Sequence, residues 1–297
     1  MSRKFSKPAL GLEDQVKKLR DRGLDADPEQ LKATLARMSY YRFSGYLWWF
    51  YEDDHRIRES TSLQDVLELY AFDAKLRVLV LRMSHSIEVW LRAAFANEVC
   101  QRHGPMGYLS KGIYANPVAF DKDVAKLDEM ITDKSPEAFV TAFRQNYSDK
   151  RPPLWMATEL MSLGLLSKWY ENLREDSLAK AIAKGAGLNR PALVSFLRLF
   201  TVLRNGAAHH SRIWNRTTSL RGVTIKSPPP ELRAALDGAD ESRIHYVLAI
   251  AAYIVGHVDP CSESVDDLRQ LLETAREEWL AEMDFPLGFD TDPLWHQ

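Results

Sequence analysis

Residues 63–100 read LQDVLELYAFDAKLRVLVLRMSHSIEVWLRAAFANEVC. Val66, Leu69, Leu76, Leu79, Met83, Ile87, Trp90, Leu91 and Ala94 recur there at steps of three or four, which draws one apolar stripe along a long helix. Thr61 and Ser62 stand ready to cap its first turn, with Gln64 and Asp65 placed to answer them. Outward from this helix the same period repeats. A turn-rich stretch, His103-Gly-Pro-Met-Gly to Asn116-Pro117, ends it, and further helices are predicted at about 117–131, 136–146 and 154–173. Ser148-Asp-Lys-Arg-Pro-Pro153 separates the last two. Another helix is predicted to begin near Asn189, with Pro191 in its first turn, and to run to about residue 213. Ser227-Pro-Pro-Pro230 breaks the chain again, and helices follow at about 231–236, 243–257 and 265–283. No alternating strand, low-complexity tract or internal repeat is found. The expected fold class is all-α, with residues 1–60 an N-terminal helical and aromatic region, 61–284 the helical core, and 285–297 an irregular tail.

The 297 residues give ample length for a buried core, and 45% apolar with 27% charged residues describes a globular chain. The two cysteines, Cys100 and Cys261, are far apart and offer neither a disulfide framework nor a thiolate cluster for zinc. No stretch approaches the roughly 20 apolar residues of a membrane span. The basic N-terminus is followed by no apolar run, so the expectation is a cytoplasmic protein without a membrane partner. Net charge is −2, but its distribution is uneven. Between Asp176 and Glu231 no acidic residue occurs, while Lys180, Lys184, Arg190, Arg198, Arg204, Arg212, Arg216, Arg221 and Lys226 do. Such polarity suits a phosphate-binding face; it also suits a solvated surface balanced by the acid-rich C-terminal part.

The acid-free segment contains Phe196-Leu-Arg-Leu-Phe-Thr-Val-Leu-Arg-Asn-Gly-Ala-Ala-His-His-Ser-Arg-Ile-Trp-Asn-Arg216. Asn205 and His209, four apart, share a face on a helix, and the arm of Arg204 reaches beside the imidazole. Gly206 costs a helix about 1 kcal/mol against alanine, which hints at crowding. These groups suit cleavage of RNA by its own 2′-hydroxyl. Histidine transfers protons near neutrality, and arginine offers a fixed fork of donors to phosphate. The nucleophile comes from the substrate, so the reaction requires no metal or cofactor, and DNA would be refused. Alone, an Arg and a His five apart is a weak signal, for which decoration on a partly buried helix is the plainer reading.

The full string resembles the signature of the Abi-like abortive-infection proteins, Arg-Asn-x-x-Ala-His-His-x-Arg-x-Trp-Asn-Arg. That family is similar to the wider HEPN class of all-helical ribonucleases, defined by Arg-x(4–6)-His. The resemblance extends to Ser39-Tyr-Tyr-Arg-Phe-Ser-Gly-Tyr46, to Phe72-Asp-Ala-Lys-Leu-Arg77 with Ile87-Glu-Val-Trp-Leu-Arg92, to Pro153-Leu-Trp-Met-Ala-Thr-Glu159 through Tyr170-Glu-Asn-Leu173, and to Gly288-Phe and Pro293-Leu-Trp295. It implies a HEPN-like helical bundle with an N-terminal helical extension. It further implies a metal-independent endoribonuclease toxin of an antiviral, abortive-infection system. Carried over, Arg204 stabilises the phosphate, His209 transfers protons with His210 as substitute or helper, and Asn205 positions one or both. Glu88 either orients Arg204 or the histidine, or is an ordinary surface glutamate. Arg77 and Arg92 extend a phosphate surface or pair with Asp73 and Glu88. Arg42, Arg198, Arg212, Asn215 and Arg216 are expected RNA contacts, and Trp214 is a stacking plane or a core anchor. Tyr40, Tyr41 and Tyr46 either stack on RNA or pack the N-terminal region. Only one motif is present, so the resemblance implies a homodimer with a composite active site. The partners it implies are RNA, including a structured small RNA, and an antitoxin. The rival reading is a catalytically idle RNA-binding or regulatory module. A purely protein-interacting domain would leave the acid-free stretch without a purpose.

Overall fold

The computed structural model describes residues 6, 8–52, 56–132, 135–218 and 220–295. Among them the chain is all-α. The helices are α1 (Leu12–Arg20), α2 (Pro28–Met38), α3 (Tyr40–Leu47), α4 (Leu63–His103), α5 (Pro117–Met130), α6 (Ala138–Asn146) and α7 (Leu154–Leu160), then α8 (Leu163–Glu171), α9 (Asp176–Gly185), α10 (Arg190–Ala208), α11 (Pro230–Arg233), α12 (Ile244–Val258), α13 (Ser264–Glu273) and α14 (Glu277–Glu282). Only isolated bridges, and no strand, occur among the described residues. The chain divides into two compact units, Met1–Lys75 and Leu76–Gln297, with α4 beginning in the first and ending in the second.

In the first unit the helix starts follow from their caps. The Asp27 carboxylate accepts from Gln30 N at 2.9 Å at the head of α2, whose first residue is Pro28. The capping box expected before α4 forms: Ser62 N and Oγ donate to Asp65 Oδ2 at 2.9 and 2.6 Å, and Asp65 N donates to Ser62 Oγ at 3.2 Å. Leu19, Leu31, Phe43, Leu47 and Val66 are sealed in the core. The tyrosine run divides by burial. Tyr46 is buried and donates to Asp73 Oδ2 at 2.6 Å, Tyr40 lies under the Lys18 ammonium, and Tyr41 is 90% exposed.

The second unit is organised by α12, in which every residue from Ile244 to Val255 is buried, as expected of a helix apolar on all sides. Around it stand α10, α11, α13 and the final 3-10 turn, while α10 also packs on α8 and α9 and α5 packs on α7 and α8. Leu76, Val80, Met83, Ile87, Leu91, Phe95 and Val99 of α4 face inward. Ser86 Oγ donates to Asp259 Oδ2 at 2.6 Å, and Arg82 pairs with Asp267. No helix among the described residues is long and apolar enough to cross a membrane.

Four departures from the periodicity are observed. The helix expected at 154–173 is two helices, because Ser162 takes the cap position and accepts from Leu165 N at 3.3 Å. The one expected at 265–283 also divides, the Thr274 hydroxyl folding back onto the Leu271 carbonyl at 2.9 Å. Helix α9 escaped notice because two of its four buried residues, Ala179 and Ala183, give little apolar contrast. The expected irregular tail winds into two 3-10 turns that bury Phe289, Leu294 and Trp295.

Candidate active site

Helix α10 starts where Asn189 accepts from Ala192 N at 2.9 Å, with Pro191 in its first turn. Its inner face is Leu193, Phe196, Leu197, Phe200 and Leu203, the two phenylalanine rings stacking at 5.0 Å. That register leaves Arg204 and Asn205 at the opposite margin of the last turns. On α4 the buried pair Ile87 and Leu91 brings Glu88 and Arg92 to the same place. Arg204 Nη2 lies 2.7 Å from Glu88 Oε1, an oxygen that also accepts from Ser84 Oγ at 2.7 Å. Arg92 Nη2 lies 3.5 Å from Glu88 Oε2 and donates to the Met161 carbonyl at 3.1 Å. That carbonyl is free to accept because the chain breaks there, between α7 and α8. Arg204 Nη1 donates to Asn205 Oδ1 at 3.1 Å. The buried Nε atoms of Arg92 and Arg204 have no partner among the described residues.

The charge balance of this cluster is incomplete. Two permanently cationic guanidiniums share one carboxylate in half-buried surroundings, so the group carries one excess positive charge. One monoanionic group would balance it. Leu81, Ser84, His85 and Val89 complete an open groove of about 310 Å³ over Arg204, Glu88 and Arg92. Neither Ser84 nor His85 stood out in the sequence. Their positions one turn before Glu88 on α4 were the available signal, and it has meaning only once Glu88 is assigned.

The end of α10 falls five residues before the expected one. His209 is the C-cap, His210 N donates to Ala207 O at 3.1 Å, and Ser211 N donates to Gly206 O at 2.9 Å. This double closure is a Schellman turn, with His210 at φ 56° in the position that glycine usually fills. His209 N still donates to Asn205 O at 3.0 Å, so these two residues remain on consecutive turns, and both imidazoles are exposed. The chain then folds back over the helix, burying Ile213 and Trp214 completely. Trp214 is therefore a core anchor. The crowding inferred at Gly206 is found: a Cβ there would meet Arg216 Nη1 at 2.8 Å and Ile213 Cγ2 at 3.4 Å.

Of the other sequence-expected residues, Arg212, Asn215 and Arg216 follow the turn as half-buried side chains, and Asn215 Oδ1 is buried without a partner among the described residues. Arg198 is two turns back on α10 and pairs with Glu171, Nε to Oε2 at 2.9 Å. Arg77 is buried at 6% exposure on α4 and does not line the groove over Arg204. Arg42 belongs to the first unit, half-buried near the start of α3. Among the described residues no three His, Cys, Asp or Glu side chains converge as they would around a metal ion.

The all-α chain thus sets an arginine, a carboxylate and an amide at one helix end, with two histidines just beyond. The sequence profile of the Abi-like protein family matches residues 33–215, well over half of the chain, and the protein belongs to that family. No curated protein and no solved structure matches it.

Proposed function

We propose that this protein is a metal-independent endoribonuclease toxin of HEPN type, acting in abortive infection. The observation that carries the reading is the Arg204–Glu88–Arg92 cluster, short of one negative charge, at the end of the helix that presents His209 and His210. The scissile phosphate of an RNA takes the place of the missing anion, held by Arg204. Glu88 orients the guanidinium through one nitrogen, Asn205 holds the other, and His209 moves the proton of the 2′-hydroxyl or of the departing 5′-oxygen, with His210 beside it. Membership of the Abi-like family supports the defence role.

A second copy completes the site. Val78, Leu81 and Val89 are 57%, 37% and 49% exposed along the outer face of α4, and Leu81 and Val89, with His85, border the Arg204 groove. An apolar stripe beside an unfinished charge cluster fits closure by a symmetric partner. Incubation of purified protein with cellular RNA is expected to yield fragments with 2′,3′-cyclic phosphate ends, unaffected by EDTA. His209→Ala is expected to lower cleavage by about 10²-fold or more, as loss of a proton-transfer group does, while RNA is still bound. Equal cleavage by wild type and variant would remove His209 from the chemistry.

A further inference from the structure

Helices α5, α8 and α10 each turn a polar row toward one trough. On α10 the row is Arg198, Thr201 and Asn205, at helical steps of three and four; on α8 it includes Lys168 and Glu171; on α5 it includes Lys122 and Lys126. Two depressions of about 440 and 560 Å³ share Lys126, Lys168 and Glu171 as walls, so they form one channel. Its inner end is Asn205, which is hydrogen-bonded to Arg204, and its outer end is Lys122 with Asn116. Arg198 to Asn205 alone covers about 10 Å at helical rise, longer than one nucleotide step.

The acids in the trough are already engaged. Glu171 pairs with Arg198, and Asp123 accepts from Lys126 at 3.1 Å. Lys122 and Lys168 are exposed and have no acidic partner among the described residues, so four cations against two carboxylates leave a surplus of two positive charges. The lining has no aromatic ring to anchor a peptide, and its unpaired lysines suit a sugar–phosphate backbone.

We infer that this trough is the track along which single-stranded RNA enters or leaves the Arg204 site, with Lys122 and Lys168 each neutralising one phosphate. The inference rests on the nuclease reading and adds to it a sequence-independent hold on several nucleotides, favouring long over short substrates.

The test uses the full chain carrying Lys122→Glu and Lys168→Glu. Binding is measured on a 2′-O-methylated 20-nucleotide RNA, which presents no attacking hydroxyl, and turnover on a plain 20-mer and on a dinucleotide. Affinity for the 20-mer is expected to fall at least tenfold. The slope of log affinity against log salt should flatten by about 1.4, two contacts at about 0.7 each. Dinucleotide turnover should stay within twofold. Lys122→Gln with Lys168→Gln, a gentler change, should flatten the slope equally. A control with the same charge change elsewhere, Lys17→Glu with Arg20→Glu on exposed α1 positions, should leave affinity within threefold. Unchanged affinity and slope in the trough variants, while wild type cleaves the 20-mer, would overturn the track alone; so would an equal loss in the control. Failure of the wild type to bind or cleave either RNA would overturn the nuclease reading and the track together.

Discussion

His210 adopts φ 56°, a left-handed backbone that costs an ordinary residue about 1–2 kcal/mol and glycine almost nothing. Glycine would lose some of that advantage through its greater freedom in the unfolded chain, about 0.5–1 kcal/mol. His210→Gly should therefore raise the unfolding free energy by about 0.5–1 kcal/mol, read as a higher urea midpoint. A lower midpoint would mean that the imidazole holds the turn together more strongly than the backbone resists it. A histidine kept where glycine fits better is consistent with use of its side chain, so a more stable but less active variant is the expected pairing. At this scale the sequence was uneven. Gly206 announced its own crowding, because an unfavourable helix residue needs a reason, and Arg216 with Ile213 supplies it. Ser84 was silent, since a serine among apolar helix residues looks like any other until the carboxylate it serves is known.

Helices α4 and α10 are clasped by one carboxylate between two guanidiniums, and the clasp is not symmetric under mutation. Removing Arg204 leaves Glu88 with Arg92 and the Ser84 hydroxyl. Removing Glu88 leaves two half-buried cations facing each other. Glu88→Ala is therefore expected to destabilise the protein by about 2 kcal/mol and Arg204→Ala by less than about 1, in keeping with unpaired charge costing more than a lost pair. Chemical denaturation of both variants checks the order, and the reverse order would mean that Arg204 contributes mainly by packing. Element boundaries explain what periodicity missed here. The stripe of α4 was legible because Leu76, Met83, Ile87 and Leu91 are uninterrupted, and α4 runs three residues past the expected end. The break at Ser162 lay inside an apolar run and was hidden, yet it exposes the Met161 carbonyl that steadies Arg92. The early end of α10 was hidden for a similar reason: Ile213 and Trp214 continue the apolar pattern while the backbone has already turned back over Gly206.

The second unit as a whole depends on α12, whose all-apolar surface makes the helix legible in the sequence, while the consequence of its one histidine inside the core becomes legible only in the packed structure. His245 is 1% exposed, its ring lies 4.5 Å from that of Phe285, and neither ring nitrogen has a partner among the described residues. Burial depresses its pKa from 6.5 to about 4, with the Asp284 carboxylate opposing weakly. A base with a depressed folded pKa is neutral in both states above pH 6.5, where its contribution is unchanged. As pH falls from 6.5 toward 4, the unfolded chain takes up a proton that the folded chain refuses, and stability drops. The full loss over those 2.5 units is about 3 kcal/mol, after which the two states titrate together. His245→Leu fills the same apolar site, removes two unpartnered nitrogens and cannot titrate. Its midpoint in urea should therefore equal or exceed that of wild type at pH 7.5, and its advantage should widen to about 3 kcal/mol at pH 4. Because the other acids and bases titrate alike in both proteins, the difference between the two curves isolates His245. Parallel curves across pH 7.5 to 4 would show that the folded core admits a proton, or a water carrying one, to this ring.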